Sequence, residues 1–190
     1  VENMMEANNT INNKRIAKNT LILYLRMFIT VGVSLYTSRV VLANLGISDY
    51  GLYNVIGGFV SMFYMITASL TQAVSRFITF ELGKNDMKKL EDTFSTSVFI
   101  LFILSLVVVL LAETIGLWFV NYKLNIDADR MVAANWVYQF TVLAFVLEML
   151  SIPYSALIVS HEKMGMFAFV TIMKVILMLG VALLLSVSPL

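Results

Sequence analysis

The chain has 190 residues, of which 59% are hydrophobic and only 13% charged, with a mean hydropathy of +0.86. A soluble domain carries about a quarter charged residues, so this composition excludes a water-facing globule of this length, and a net charge of +1 gives no bulk basicity toward nucleic acid. With no cysteine and a single histidine, His161, disulfides, thiolate metal sites and a histidine cluster are excluded as well.

Residues 1–18 are polar, rich in Asn, and end in Asn13-Lys14-Arg15-Ile16-Ala17-Lys18. They predict a cytosolic N-terminal segment. The first span runs from about Asn19 to Asn44. It is too long for a cleaved signal peptide, lacks an A-x-A site, and is interrupted by Arg26 and Arg39. A turn is predicted at Leu45-Gly46-Ile47-Ser48-Asp49-Tyr50-Gly51, where two glycines and an Asp favour bending. The second span covers roughly 52–79. The charged loop Glu81 to Asp92 follows, then a third span from Phe94 to Val120, in which Val98–Leu111 holds a single polar residue, Ser105. A polar loop covers Asn121 to Arg130. The fourth span runs from about Ala134 to Ser160 and contains Pro153. After the turn His161-Glu162-Lys163, the fifth span runs from Met166 to about Val187.

Each span reaches the roughly 20 residues a helix needs to cross hydrocarbon. The runs are continuous and lack the period-2 alternation of membrane strands. The fold class predicted is therefore all-α, a polytopic membrane helix bundle of about five transmembrane helices over residues 19–190. Lys14, Arg15, Lys18, Lys84, Lys88, Lys89 and Lys163 fall on one side, and Lys123 and Arg130 on the other. The positive-inside rule then predicts a cytosolic N-terminus. The chain stops at Leu190, at the end of the fifth span. That predicts either a fragment of a longer transporter or a genuine five-helix protein.

Ionisable groups inside a bilayer cost about 2.5–3.5 kcal/mol each on insertion scales, so they concentrate on faces turned toward an interior or a watery cavity. In the first span Asn19, Arg26, Thr30, Ser34, Thr37 and Asn44 recur at helical spacing and share one stripe. Gly58, Ser61, Met65, Ser69, Gln72 and Arg76 do so in the second, and Thr141, Ala144, Glu148, Ser151 and Ser155 in the fourth. The third span shows no such stripe and is expected to face lipid. Small and hydroxyl residues alone are the usual glue between membrane helices. Arg26, Glu148 and Lys174 are poorly explained that way, because Ala would pack as well. Function or salt bridging, as of Glu148 with Lys174 or Arg26, accounts for them better. Arg76, near the cytosolic end, reads equally as snorkelling. Arg39 snorkels or pairs with Asp49, and Glu113 reads as interfacial. Pro153 deprives the Met149 carbonyl of its helical partner, which predicts a kink or hinge within the membrane.

Three segments resemble a known family. Ser38-Arg39-Val40-Val41-Leu42-Ala43-Asn44-Leu45-Gly46-Ile47-Ser48-Asp49-Tyr50-Gly51-Leu52-Tyr53 resembles the first hairpin of bacterial polysaccharide-biosynthesis flippases. These are the O-antigen and lipid-linked oligosaccharide translocases of the multidrug/oligosaccharidyl-lipid/polysaccharide exporter superfamily. Gln72-Ala73-Val74-Ser75-Arg76-Phe77-Ile78 with Gly83-Lys84, and Ile152-Pro153-Tyr154-Ser155-Ala156-Leu157 with Glu162-Lys163, look like the ends of their second and fourth helices. The resemblance implies twelve to fourteen helices in two lobes, this chain supplying most of the N-terminal one. It also implies a substrate, an oligosaccharide on an undecaprenyl pyrophosphate carrier, and a bacterial inner (cytoplasmic) membrane location.

On that reading Arg26 and Arg76, then Lys174, are the candidates for the pyrophosphate, since guanidinium offers planar charge-assisted hydrogen bonds. Thr30, Ser69 and Gln72 are the candidates for sugar contacts. Glu148 is the candidate for a coupling proton or cation, and Pro153 for a hinge. The partners expected are membrane lipids and a glycan polymerase or glycosyltransferases, with no nucleic acid, no metal and no cofactor.

Three alternatives stay open. A drug or cation exporter of the same superfamily would need acids where this chain has bases. A scaffold in glycan assembly would transport nothing. A membrane enzyme would need loop acids, and Asp127-Ala128-Asp129, the only pair close enough, reads as an exposed loop. No G-x-x-x-x-G-K-[ST] loop and no Ser-His-Asp arrangement is present, and the chain is expected not to be an enzyme.

Overall fold

The computed structural model describes residues 2–124, 126–127 and 129–187, and it is helical almost throughout. Helix α1 (Glu2–Ser61) is broken at Gly46, whose φ of 73° and ψ of 173° lie outside the helical region. Glycine adopts that φ without the clash a Cβ would bring, so the chain bends within the predicted turn. The break divides α1 into a first arm, residues 2–45, and a second arm, residues 47–61. The polar leading residues are not a separate coil; helix runs through them from Glu2.

The second expected span is itself divided. The second arm of α1 ends at Ser61, and α2 (Tyr64–Gly83) begins after Met62 and Phe63. Around that point the amides of Met62, Phe63, Met65 and Ile66 donate to carbonyls three residues back, a winding tighter than α. Asn85, with φ of 60°, and Asp86 then start α3 (Met87–Leu111), where the Asp86 carboxylate accepts the Lys89 amide at 3.1 Å. A five-residue π-turn, Ala112–Gly116, and the short α4 (Leu117–Tyr122) complete the third span. Helix α5 (Met131–Ser160) carries Pro153 inside it, and α6 (Met164–Val187) follows.

Four stretches among the described residues are long and apolar enough to cross a membrane: Asn13–Ser61, Met87–Tyr122, Met131–Ser160 and Met164–Leu184. The second arm of α1 and α2 make up the remaining expected span. The chain is thus an all-α, multi-pass membrane bundle of four to five spans.

The chain divides into two compact units, residues 1–46 with 162–190, and residues 47–161. In the second unit α5 is the central element. Its buried residues Ala134, Tyr138, Val142, Phe145, Met149, Ile152 and Ala156 recur every three or four positions and so form one face. Helices α2 and α3 both pack against it. Phe59 stacks on Phe119 with centroids 4.8 Å apart, and the Tyr64 ring meets Phe145 edge-on at 5.1 Å. The third span does not simply face lipid: Leu101, Ser105, Val108 and Ala112 are buried on one side of it, while Phe99, Phe102, Leu106 and Leu110 are exposed on the other. Lipid tails are as apolar as these side chains, so close fit, rather than exclusion of water, holds the helices together.

Candidate functional site: polar groups within the spans

In the unit formed by residues 1–46 and 162–190, Arg26 is half-buried on the first arm of α1. Its guanidinium carbon lies 4.8 Å from the centroid of the Phe167 ring on α6. That is cation–π geometry. The Arg26 Nε is buried without a hydrogen-bond partner, and Arg26 makes no ion pair among the described residues. Thr30 donates to the Met27 carbonyl at 3.0 Å and Thr37 to the Val33 carbonyl at 2.8 Å, so both hydroxyls are satisfied within their own helix. Lys174 is exposed on α6 and edges a shallow groove with Phe169, Val170, Met173 and Leu177. Arg15 pairs with Glu162 near the start of α6.

In the unit of residues 47–161, the predicted second-span stripe is exposed along its whole length: Gly58, Ser61, Met65, Ser69, Gln72 and Arg76. The opposite side of α2 buries Thr67, Val74 and Ile78. The break at Met62 and Phe63 parts Gly58 and Ser61 from the rest, and Ser69, Gln72 and Arg76 remain on one uninterrupted helical face. On α5, Glu148 is half-buried and Pro153 fully so. The candidate residues thus fall in two groups: Arg26, Thr30 and Lys174 in one unit, and Ser69, Gln72, Arg76, Glu148 and Pro153 in the other.

Asp49 pairs with Arg130 at 2.8 Å, not with Arg39, and Arg130 also donates to the Ser48 hydroxyl. Ser48 and Arg130 edge a cavity of about 340 Å³ that Leu52, Val55 and Leu124 line from the apolar side. Asp127 borders the same cavity, and Ala128, between the two loop acids, lies outside the described residues.

One polar arrangement escaped the stripe analysis. Where α4 and the π-turn meet α5, the Tyr138 hydroxyl donates to the Ala112 carbonyl at 2.9 Å. The Gln139 amide donates to Glu113 Oε2 at 3.1 Å, and the Asn135 amide donates to Asn121 Oδ1 at 3.0 Å. Gly116 makes room for this seam, since a Cβ there would lie 2.0 Å from the Tyr138 oxygen. Helical arithmetic at 100° per residue fails across a π-turn, which is why no stripe showed. The available signal was charge: Glu113 is the only charged residue between Asp92 and Lys123.

These are polar groups set into long apolar helices, where ionisable side chains tend to face an interior or a watery cavity. The MatE family model matches residues 23–185, most of the chain, and reaches into all five expected spans. No curated protein and no solved structure matches.

Proposed function

The chain belongs to the MatE family, and from that membership we propose that it serves a transporter moving a lipid-linked oligosaccharide across the bacterial inner membrane for surface polysaccharide export. Membership itself makes the chain a membrane transporter of the multidrug/oligosaccharidyl-lipid/polysaccharide exporter superfamily. The substrate, the undecaprenyl pyrophosphate carrier and the cytosolic N-terminus are our reading.

The observation that carries it is Arg26. A guanidinium within a span, backed by Phe167 and with no ion pair among the described residues, is a cation whose natural counterion is an anionic solute. Pyrophosphate suits its planar donors. Within its own unit, Arg76 shares an exposed face of α2 with Ser69 and Gln72, which makes these residues candidates for a cation and neutral partners toward hydroxyl-rich sugars. Lys174 is the third cation, and Glu148 the candidate for the coupling ion.

The test is glycan export in a strain lacking its own translocase, complemented with the gene carrying Arg26→Ala or Arg26→Lys. Export should fall at least tenfold for Arg26→Ala at unchanged membrane level, with partial recovery for Arg26→Lys, which keeps charge but loses the fork. Normal export with Arg26→Ala refutes the assignment. The second reading, export of cationic drugs, is favoured by the acids Glu113 and Glu148 in the spans. Drug resistance conferred by the unaltered gene, without glycan export, would establish that reading instead.

A further inference from the structure

We propose that Glu113, held against Gln139 by the Tyr138-clamped π-turn, is a proton-binding site within the membrane. The proposal needs no assumption about the transported solute.

Glu113 lies in the 30-residue interval 93–122, which contains no other charge. About 20 residues of that interval are needed to cross hydrocarbon. Wherever the span is centred, Glu113 falls inside it or at its edge toward Lys123. The side chain is exposed, so in a bilayer it faces hydrocarbon or an adjoining polar surface rather than a packed core. An ionisable residue so placed is a functional group by default. The groups facing it are few. From α5 come the Gln139 amide at 3.1 Å and the Tyr138 phenol, the titratable group that feels its charge. From the second arm of α1, the Phe59 ring approaches the same π-turn at Gly116. Glu113 has no ion pair among the described residues.

A neutral amide is the partner that serves both protonation states. The carboxylate accepts from Gln139 Nε2, as observed. A carboxylic acid would donate its O–H to Gln139 Oε1 after the amide turns over. Proton uptake and release therefore keep a hydrogen bond between the two side chains, whereas an arginine or lysine partner would fix the charged form. The backbone around the site is specialised to hold it. The π-turn places Glu113 beside α5, the Tyr138 hydroxyl ties the Ala112 carbonyl next to it, and Gly116 leaves the space Tyr138 fills. Such π-turns occur frequently at functional sites.

Infrared difference spectroscopy on the purified chain in lipid vesicles reads the proton directly. Wild type should show a protonated-carboxyl band that appears as pH falls and shifts in deuterium oxide. Glu113→Gln should abolish that band and Glu113→Asp should retain one. The only two tryptophans, Trp118 and Trp136, lie between seam residues in sequence, and their emission should follow the same titration in wild type but not in Glu113→Gln. Identical spectra for wild type and Glu113→Gln at every pH overturn the proposal. Should Glu113→Gln fail to fold, Gln139→Leu keeps the carboxyl and removes its partner. A move of the band to higher frequency supports the pair, and an unmoved band refutes it.

Discussion

Gly116 has no side chain where Tyr138 needs the space. A Cβ at residue 116 would meet the Tyr138 oxygen at 2.0 Å and its ring carbon at 3.0 Å, and Tyr138 is fully buried, so it has no easy retreat. Gly116→Ala should lower stability by about 1–3 kcal/mol, the usual cost of overpacking, read as a fall in melting temperature in detergent. Adding Tyr138→Phe removes the closest atom but not the ring, so the double variant should recover part of that loss; strict additivity would show that the two residues do not meet. Asp86 offers a different residue-level test. The Lys89 amide hydrogen bond holds its carboxyl below its ordinary value of 3.8. A depressed folded pKa gives stability that is present above the unfolded pKa and disappears as pH falls through the folded one. Asp86→Asn keeps a capping oxygen but no charge. Wild type should therefore be the more stable at pH 7, with the difference closing below about pH 3.8. A gap that persists in strong acid would mean the charge is not its source.

The elements show how much of the fold could be read from residues alone. Helix ends at 83, 111–122, 131 and 160–164 lie close to the predicted boundaries, because charged loops between long apolar runs mark them unmistakably. The turn at 45–51 was legible from Gly46, the one residue there that must leave helical space. The break after Ser61 was not: Ser61-Met62-Phe63 contains no glycine or proline, and the tightening there accompanies the packing of Phe63 and Tyr64 around Phe145, a partner 80 residues away. The buried side of α3 was hidden for a related reason. In hydrocarbon both faces of a helix are apolar, so hydropathy does not separate lipid contact from protein contact. Of the candidate site, the Arg26 and α2 stripes were visible as periodic polar residues, while the seam at the π-turn broke the period. The Arg130–Asp49 pair was out of reach because it joins the turn to a loop more than 70 positions away. It is exposed, 36% and 51% for the two side chains, so it should contribute at most about 1 kcal/mol. Arg130→Asp and Asp49→Arg should each destabilise slightly, and the exchanged double variant should recover most of the loss in the same melting experiment. Two single losses that merely add would dissolve the pair.

At the scale of the whole molecule the open quantity is the number of crossings, and residues 47–83 decide it. The second arm of α1 is about 22 Å long and α2 about 30 Å, against a hydrocarbon core of about 30 Å. Either α2 crosses nearly alone, or both pieces cross together at a tilt through the break. Helix α2 is not among the four stretches that are span-like by length and hydropathy, yet it is buried along Thr67, Val74 and Ile78 against its neighbours. A segment supported in this way tolerates polar residues such as Gln72 and Arg76 that would disqualify a lone helix. Crossing also agrees with charge. It puts Lys84, Lys88 and Lys89 on the same side as Lys14, Arg15 and Lys18, and leaves Lys123 and Arg130 on the other. Without it, the positive residues would lose their bias. The chain has no native cysteine, so single cysteines report cleanly. With an impermeant maleimide applied to right-side-out vesicles, Ser48→Cys and Lys123→Cys should label before lysis, and Lys84→Cys and Lys163→Cys only after it. Labelling of Ser48→Cys and Lys84→Cys from the same side would reduce the count to four and make 47–83 a re-entrant segment, its polar face turned to one compartment only.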